Sequence, residues 1–399
     1  MALNNSNILG IVSNSPRTRA VRSLKQWVSD GRLTAGERLP PEIRLAAKLS
    51  VSRSTMRLAL SDLEKEGVIS ADKRRRIVLD RIKPEKTFLS DAVALITDSP
   101  DHFQRGRMHG TWHSNFIHTG AVDAIRAAGY DVLNIHPSRI AGDMIQRLIS
   151  QQPRGVIIMR DVLETPSGQH LPQALQEGNV LFVVFGDLGR SRDARKVASF
   201  DTVTSDHECG SYELTKWLIS QGRRRILRLW HTQWSGPEEK REWLHQRDLG
   251  YERAMGEAGL KTLPALEIYG SRGSDSQEFF QQGARLLAGY LIEYLTMDEP
   301  IDAIMAINDS SVPPIAGALK IHGREPNKDI LIVGYDNMWQ DMAVSRWDPT
   351  QPAATVDKRN LEIGSELMRL LQERIEGTLP PQGQHRVIKP DLVTLQKSG

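Results

Sequence analysis

Two arginines four residues apart, Arg53 and Arg57, could carry chemistry near the N-terminus of the chain. At this spacing both guanidinium groups lie on the same side of a helix, while Met56, Leu60 and Leu63 recur at apolar spacing on the other side. A guanidinium group can make paired hydrogen bonds to a guanine edge or to a phosphate. A solvated surface helix would show the same basic stripe, so the neighbouring elements have to decide between the two interpretations.

The segments on either side predict a helix-turn-helix followed by a β-hairpin. Apolar spacing indicates a first helix that stops at Gly31, a second that begins after Pro41, and a third that Ser52 caps and Gly67 ends. The stretch "VISADKRRRIVLD" then alternates apolar residues around a basic tip, as a hairpin does. Because the second helix of a helix-turn-helix pair enters the DNA major groove with its N-terminal residues, we expect the two arginines to face DNA.

The same region resembles the winged-helix domain of the GntR family of bacterial transcription regulators. The matching positions are Gly31, Leu33, Gly36, Leu39-Pro40, Glu42, Leu45-Ala46, Val51-Ser52-Arg53, Thr55, Arg57, Ala59-Leu60, Leu63 and Glu66-Gly67. The resemblance implies that Arg53, Thr55 and Arg57 contact DNA and that Glu42 orients the recognition surface.

The predicted DNA-binding residues fall into three groups. The start of the third helix contributes Ser52, Arg53, Ser54, Thr55 and Arg57, the preceding helix contributes Arg44, and the hairpin tip contributes Lys73, Arg74 and Arg75. We include Arg44 because it adjoins Ile43, a position where the family often has an arginine. The hairpin tip should reach the neighbouring backbone or the minor groove and add salt-dependent affinity.

The charge distribution agrees with a DNA-binding head. Residues 16–86 hold 18 lysines and arginines against 9 acidic residues, a net charge of +9, whereas residues 87–399 hold 34 basic against 40 acidic residues. We therefore expect only the head to meet a polyanion. Residues 1–15 carry no charge and read as a mobile lead-in.

Beyond a predicted linker at 81–90, the pattern of apolar residues along the chain changes. Short apolar runs such as "AVALIT", "GVIIM", "LFVVF" and "ILIVGY" alternate with amphipathic stretches, which predicts an α/β fold of parallel strands covered by helices. About a dozen strands are too many for one small sheet, so two lobes are expected. The predicted domains are a winged helix at 1–80 and a two-lobed domain at 91–399. We assign 91–200 plus 340–375 to the N-terminal lobe and 201–339 plus 376–399 to the C-terminal lobe.

In order and spacing, the motifs of the body resemble the sugar-sensing core of LacI/GalR repressors, which is related to periplasmic binding proteins. The motifs are "FDTVTSDHECGSYELTKWLISQGRRRIL", "RDLGYERAM", "DAIMAINDSSV", "DILIVGYDNM" and "ATVDKRNLEIGSELMRLL". The whole chain thus looks like the arabinose-repressor type, a GntR head on a LacI-like body.

Candidate ligand contacts lie where predicted strands end, because open α/β sheets bind ligands at the carboxyl ends of their strands. By resemblance we expect Arg247, Asn308 and Asp336 to contact the ligand, with Asp187 from the other lobe. Trp112, Phe116 and Trp339, together with Trp347, could stack on a sugar face. The alternatives are that the polar groups stabilise their own turns and that the aromatic groups belong to the core. For Asp309 we favour a helix cap over ligand binding.

Several other classes of protein find little support in the sequence. "HECGS" lacks the second histidine of a zinc-protease helix, and Cys209, the only cysteine, rules out an intramolecular disulfide and reads as a structural thiol. The sequence predicts neither a cofactor nor a metal site. No stretch reads as an export signal or a membrane span, so we expect a cytoplasmic protein.

We therefore expect a ligand-responsive transcriptional regulator, a repressor by default, of carbohydrate metabolism genes. It would bind a palindromic operator as a homodimer and a sugar-like effector between the lobes, without catalysis. The alternative is an α/β carbohydrate-active enzyme whose basic head only localises it.

Overall fold

The described residues of the first of two units, Met1–Lys86 and Thr87–Gly399, form three amphipathic helices and a hairpin. The computed structural model describes residues 15–29, 32–34, 36–65, 67–72, 75–79, 89–97, 112–140, 142–163, 168–186, 200–232, 242–269 and 276–395. The elements of the first unit are α1 (Pro16–Ser29), α2 (Glu42–Lys48), α3 (Arg53–Lys65), β1 (Ile69–Asp72) and β2 (Arg75–Val78).

The apolar stripes of α1, α2 and α3 meet in one core. Leu24, Leu45, Met56, Leu60 and Leu63 are each at most 1% exposed, and full burial of such a side chain typically contributes about 1.5–3 kcal/mol. The chain leaves α3 through Gly67, whose positive φ of 70° suits glycine. It then forms the antiparallel β1–β2 hairpin, which pairs Ile69 with Val78. The expected order of three helices and a wing is confirmed.

The second unit contains two sheets, each built from six of the described strands. The first sheet comprises β3 (Ala92–Ile96), β4 (Asp131–Ile135), β5 (Gly155–Ile158), β6 (Phe182–Phe185), β7 (Asp201–Ser205) and β13 (His385–Ile388). Their order is β13-β7-β6-β5-β3-β4, and all pairs are parallel. The helices that follow these strands or pack on them are α4 (Trp112–Ala127), α5 (Gly142–Ser150), α6 (Arg160–Leu163), α7 (Leu171–Glu177) and α12 (Asn360–Ile375).

The second sheet comprises β8 (Ile226–Thr232), β9 (Leu266–Tyr269), β10 (Ala303–Ala306), β11 (Leu331–Tyr335), β12 (Ala354–Asp357) and β14 (Asp391–Thr394). Their order is β14-β12-β11-β10-β8-β9, parallel except for the antiparallel edge strand β14. Its helices are α8 (His207–Ser220), α9 (Glu242–Glu257), α10 (Gln277–Thr296) and α11 (Val312–Ile321). The expected α/β class, with parallel sheets flanked by helices, is confirmed.

The strands at which the chain passes from one lobe to the other differ from those that we expected from the sequence. Strand β7 pairs with β6 and therefore belongs to the first sheet, although we expected the C-terminal lobe to begin at 201. Strand β12 lies in the second sheet rather than in the N-terminal lobe, and β13 lies in the first. Alternating strands and helices look alike in either lobe, so the sequence pattern does not reveal which sheet takes each strand. Among the described strands, the chain passes between the sheets after β7, β12 and β13.

None of the helices in the described ranges combines the length and the apolar character that a membrane span requires.

Candidate DNA-binding surface and ligand cleft

The N-terminus of α3 is capped as the sequence predicts. Ser52 Oγ accepts a hydrogen bond from the Thr55 backbone N–H at 3.1 Å, and its hydroxyl lies 2.7 Å from Thr55 Oγ1 and 2.9 Å from Ser54 Oγ. This cap fixes the direction in which the helix begins. Ser52 and Ser54 are exposed, and Thr55 is half-buried.

Arg53 and Arg57 extend from the first turns of α3 into solvent. Their side chains are 62% and 61% exposed, and their Nε atoms lie 3.8 and 3.5 Å from Glu42 Oε2. Exposed ion pairs at such distances contribute about 0–1 kcal/mol, so a phosphate could replace the carboxylate at little cost. Both arginines thus stand on an exposed surface beside Glu42, the residue that the resemblance expects to orient them.

The carboxylate of Glu42 also holds an arginine of the hairpin. Arg76 Nη1 donates to Glu42 Oε1 at 2.8 Å, and Arg76 Nε donates to Glu64 Oε1 at 2.5 Å. The hydrogen bond from Arg76, followed by the nearby charge of Arg57, lowers the pKa of Glu42. Glu42 is therefore a carboxylate at neutral pH and binds arginines from two different elements.

The other predicted DNA contacts are described only in part. Arg44 is exposed on α2. Lys73 and Arg74 lie outside the described residues, and only the backbone of Arg75 is described, at the start of β2.

In the second unit, Arg247 is held flat at the ends of two neighbouring strands. It projects from α9 and is 3% exposed. Its guanidinium carbon lies 3.4 Å from the ring centroid of Tyr335 and 4.7 Å from that of Trp243, and Nη1 donates to the Ile307 carbonyl at 2.7 Å. Stacking of this kind requires a planar cation. Since Ile307 follows β10 and Tyr335 ends β11, Arg247 joins the two strand ends that precede Asn308 and Asp336.

Asp336 directly follows β11 and has a positive φ of 91°. Its Oδ1 lies 2.7 Å from Lys358 Nζ, and the two side chains are 7% and 8% exposed. Sequence reasoning missed Lys358, although the signal was available: it follows β12 as Asp336 follows β11.

Asp309 does not cap a helix. It is fully buried, and its carboxyl group accepts hydrogen bonds from the Met338 backbone N–H at 2.8 Å and from Thr355 Oγ1 at 2.7 Å. Burial raises the pKa of Asp309 to about 8, against the lowering effect of these hydrogen bonds. Asp309 therefore ties the end of β10 to β12 and to the loop that carries Asp336.

Asn308 uses its side-chain oxygen within its own turn. Oδ1 accepts from Ser310 Oγ at 2.7 Å and from Ser311 Oγ at 3.1 Å. These contacts match the turn-stabilising alternative for this oxygen. The half-buried side chain still stands at the carboxyl end of the sheet.

The remaining aromatic candidates differ in their surroundings. Phe116 is 38% exposed on α4, and Trp339 is half-buried in a 3-10 turn after β11. Trp347 stacks on Phe280 with centroids 5.9 Å apart, which is a packing role. The side chain of Trp112 is not described, and Asp187 lies outside the described residues.

His207 is a further residue that sequence reasoning left out. It opens α8 beneath a cap from Asp206, and its ring lies 5.9 Å from that of Trp243 and 6.2 Å from that of Tyr335. The same two rings contact Arg247, so His207 belongs to this aromatic cluster. The available signal was its place two residues beyond β7, at the start of the following helix.

The described part of the chain offers little for metal or thiol chemistry. It contains no group of three His, Cys, Asp or Glu side chains that could hold a metal ion. Burial raises the pKa of the Cys209 thiol, which is opposite to the change that activates a cysteine nucleophile.

Two parts of the chain match models of known protein families. Residues 16–79 match the model of the gntR family of bacterial regulatory proteins, and residues 215–396 match that of the periplasmic binding protein-like domain. The chain therefore combines a GntR-type helix-turn-helix domain with a periplasmic-binding-protein-like domain, which confirms the two resemblances drawn from the sequence.

Individual relatives match different shares of the chain. The arabinose metabolism transcriptional repressor of Geobacillus stearothermophilus is 22% identical over 388 residues, 93% of this chain and 94% of its own. The regulator CelR of Thermobifida fusca is 27% identical over 231 residues, 58% of this chain and 59% of its own.

Two solved structures show the likeness in fold. A CelR–cellobiose complex superposes with a TM-score of 0.56 at 21% identity and covers 89% of this chain and 99% of its own. A LacI-family regulatory protein from Chloroflexus aggregans superposes with a TM-score of 0.58 at 24% identity. The match covers 76% of this chain and 97% of that protein's chain.

Proposed function

We propose that the chain is a transcriptional regulator that binds an operator through its winged helix and responds to a sugar-like ligand. The observation that carries the DNA-binding part is the exposure of Arg53 and Arg57 at the capped start of α3. Both can reach base edges or phosphates once a groove replaces solvent.

The ligand would bind at the carboxyl ends of β10, β11 and β12, where Arg247 stacks on the Tyr335 and Trp243 rings and Asp336 pairs with Lys358. Planar donors, a carboxylate and aromatic faces suit the hydroxyl-rich and apolar faces of a sugar. A relative named for arabinose metabolism and a structural neighbour bound to cellobiose support the same ligand class. We include Asn308, Trp339, Phe116 and, from the residues not described, Asp187 as proposed contacts.

Regulation would operate through a homodimer on a palindromic operator in the cytoplasm. A ligand changes DNA affinity only by its different affinity for the two dimer arrangements, typically by about 1–3 kcal/mol of coupling. The proposal includes no catalysis, so the bound sugar should be recovered unchanged.

Selection from a randomised duplex pool by the full-length chain, paired with thermal-shift screening against a sugar panel, tests this proposal. We expect enrichment of a palindromic duplex and a raised melting temperature with one sugar class. Failure to enrich any duplex, or conversion of the sugar to a product, would contradict it.

A further inference from the structure

Arg76 lies on the hairpin but turns toward the helices. Its side chain is 25% exposed, and it donates to Glu64 on α3 and to Glu42 on α2. Its backbone is also fixed, because the Leu39 N–H donates to the Arg76 carbonyl at 2.9 Å and β2 pairs Arg76 with Ala71. Arg76 is therefore held by Glu64, by Glu42 and by its own backbone hydrogen bonds. It is not the solvated side chain that the run of lysine and arginines suggests.

The two oxygens of Glu42 do different things. Oε1 receives the short hydrogen bond from Arg76, while Oε2 faces Arg53 and Arg57 at 3.8 and 3.5 Å. A charge-assisted hydrogen bond near 2.8 Å is the stronger kind. The carboxylate is thus anchored at Oε1, and Oε2 faces the two exposed arginine side chains of α3.

This arrangement limits what Glu42 can do to the recognition arginines. Because Oε1 is anchored, Oε2 is held in place and biases both arginine side chains toward one region, which reduces the rotamer freedom that each must lose on binding. Without Arg76, the carboxylate would be free to close on Arg57 and compete with DNA for its charge. The hairpin therefore helps to fix the carboxylate that faces the two arginines of α3.

We propose that Arg76 is a positioning residue for operator recognition, acting through Glu42 on Arg53 and Arg57 rather than by contacting DNA. This inference rests on the proposed DNA-binding function. It links the wing and the recognition helix into one unit, so that replacement of Arg76 should alter base preference at the positions that the two arginines read.

The test compares Arg76→Gln, Glu42→Gln and the double variant in the full-length chain, on the duplex that the wild type selects. Arg17→Gln is the matched control, because Arg17 also pairs with an acidic residue of α3, Asp62. Asp62 lies nine residues after Arg53, on the opposite side of the helix. Circular dichroism melts of each variant verify that the head is folded.

We expect Arg76→Gln to lower operator affinity about tenfold, a typical effect within one ion-pair network, and to leave the salt slope of binding unchanged. In the Glu42→Gln background the same replacement should have no further effect. Repeated duplex selection with Arg76→Gln should return a broader set of sequences.

Two results would overturn the inference while leaving the proposed function intact. One is a loss that adds fully to that of Glu42→Gln and lowers the salt slope by about 1, as for a direct phosphate contact. The other is an Arg76→Gln variant that binds as the Arg17→Gln control does. A wild-type chain that selects no duplex would instead overturn the proposed function and this inference with it.

Discussion

The ammonium group of Lys358 lies 2.7 Å from Asp336 Oδ1, with both side chains more than nine-tenths buried. Lys358 stands on the segment that leaves β12 for α12, and α12 packs on the first sheet. Asp336 stands at the end of β11 in the second sheet. The ion pair therefore joins Asp336, a proposed ligand contact, to the segment by which the chain passes from the second sheet to a helix on the first.

Replacing Lys358 with methionine should destabilise the second unit by about 3–5 kcal/mol, because it leaves the buried Asp336 carboxylate without its ammonium partner. Urea denaturation of the full-length chain measures this. Lys328→Met is the control, since Lys328 pairs with Glu325 in solvent at 72% and 62% exposure and should cost no more than about 1 kcal/mol. Equal losses in the two variants would show that the buried pair has no special weight.

Asp309→Asn should change how stability depends on pH. The folded-state pKa of Asp309 is about 8, against an ordinary value of 3.8. Between these values the folded chain holds a proton that the unfolded chain has lost, so the contribution of this group to the free energy of unfolding falls as pH rises toward 8. Asparagine does not titrate.

The free energy of unfolding, measured in urea at several pH values from 5 to 9, should therefore fall less steeply in the Asp309→Asn variant. The two curves should differ in slope below pH 8 and run parallel above it. Curves that stay parallel throughout would mean that the carboxyl group is ionised at all these pH values.

Gly334→Ala should destabilise the second sheet. A Cβ at Gly334 would lie 1.9 Å from Asp309 Oδ1 and 3.2 Å from its Cα, so Asp309 would have to leave Thr355 and Met338. Overpacking of this kind typically costs about 1–3 kcal/mol.

Gly283→Ala is the matched control for Gly334→Ala. A Cβ at Gly283 meets nothing within 4 Å on α10, and alanine there should stabilise by about 0.5–1 kcal/mol. Thermal melts of both variants measure the difference. A Gly334→Ala protein that melts at or above the wild-type temperature would contradict the close packing of Asp309 on β11.

Arg57→Ala should weaken operator binding by about 1–3 kcal/mol, since Arg57 extends from α3 toward the expected groove. Arg147→Ala is the control, because Arg147 is similarly exposed, at 68%, but lies in the second unit. Fluorescence anisotropy at fixed salt measures both. Equal affinities for the wild type and Arg57→Ala would reject α3 as the recognition helix.

The head could be predicted almost completely because its signals are local. Apolar spacing, the Ser52 cap and the Gly67 stop each act within one or two turns of helix. The assignment of strands to the two sheets is not local: β13 pairs with β7 through His385 and Thr202, across more than 100 residues of chain, while β12 pairs with β11 and β14. The sequence therefore predicts the fold class but not the strand exchange.

The candidate ligand site shows the same limit. Strand-end position predicts where Asn308 and Asp336 lie, and the family resemblance points to Arg247 on a helix, but neither predicts what these side chains contact. Asp309 has the residue type and position of a cap, yet its partners come from residues 338 and 355, so only the folded sheet distinguishes a cap from a buried tie. Lys358 directly follows β12, so the strand-end position that predicted Asp336 also predicts Lys358 as a candidate.

The central claim, that ligand occupancy changes DNA affinity, is tested most directly by the operator dissociation constant with and without the sugar found by thermal shift, at fixed salt. We predict a change of about 5- to 150-fold for the wild type. Arg247→Lys, which keeps the charge but loses the planar stack on Tyr335, should bind the operator normally and lose this response. A wild-type dissociation constant that stays the same at saturating sugar would contradict the account.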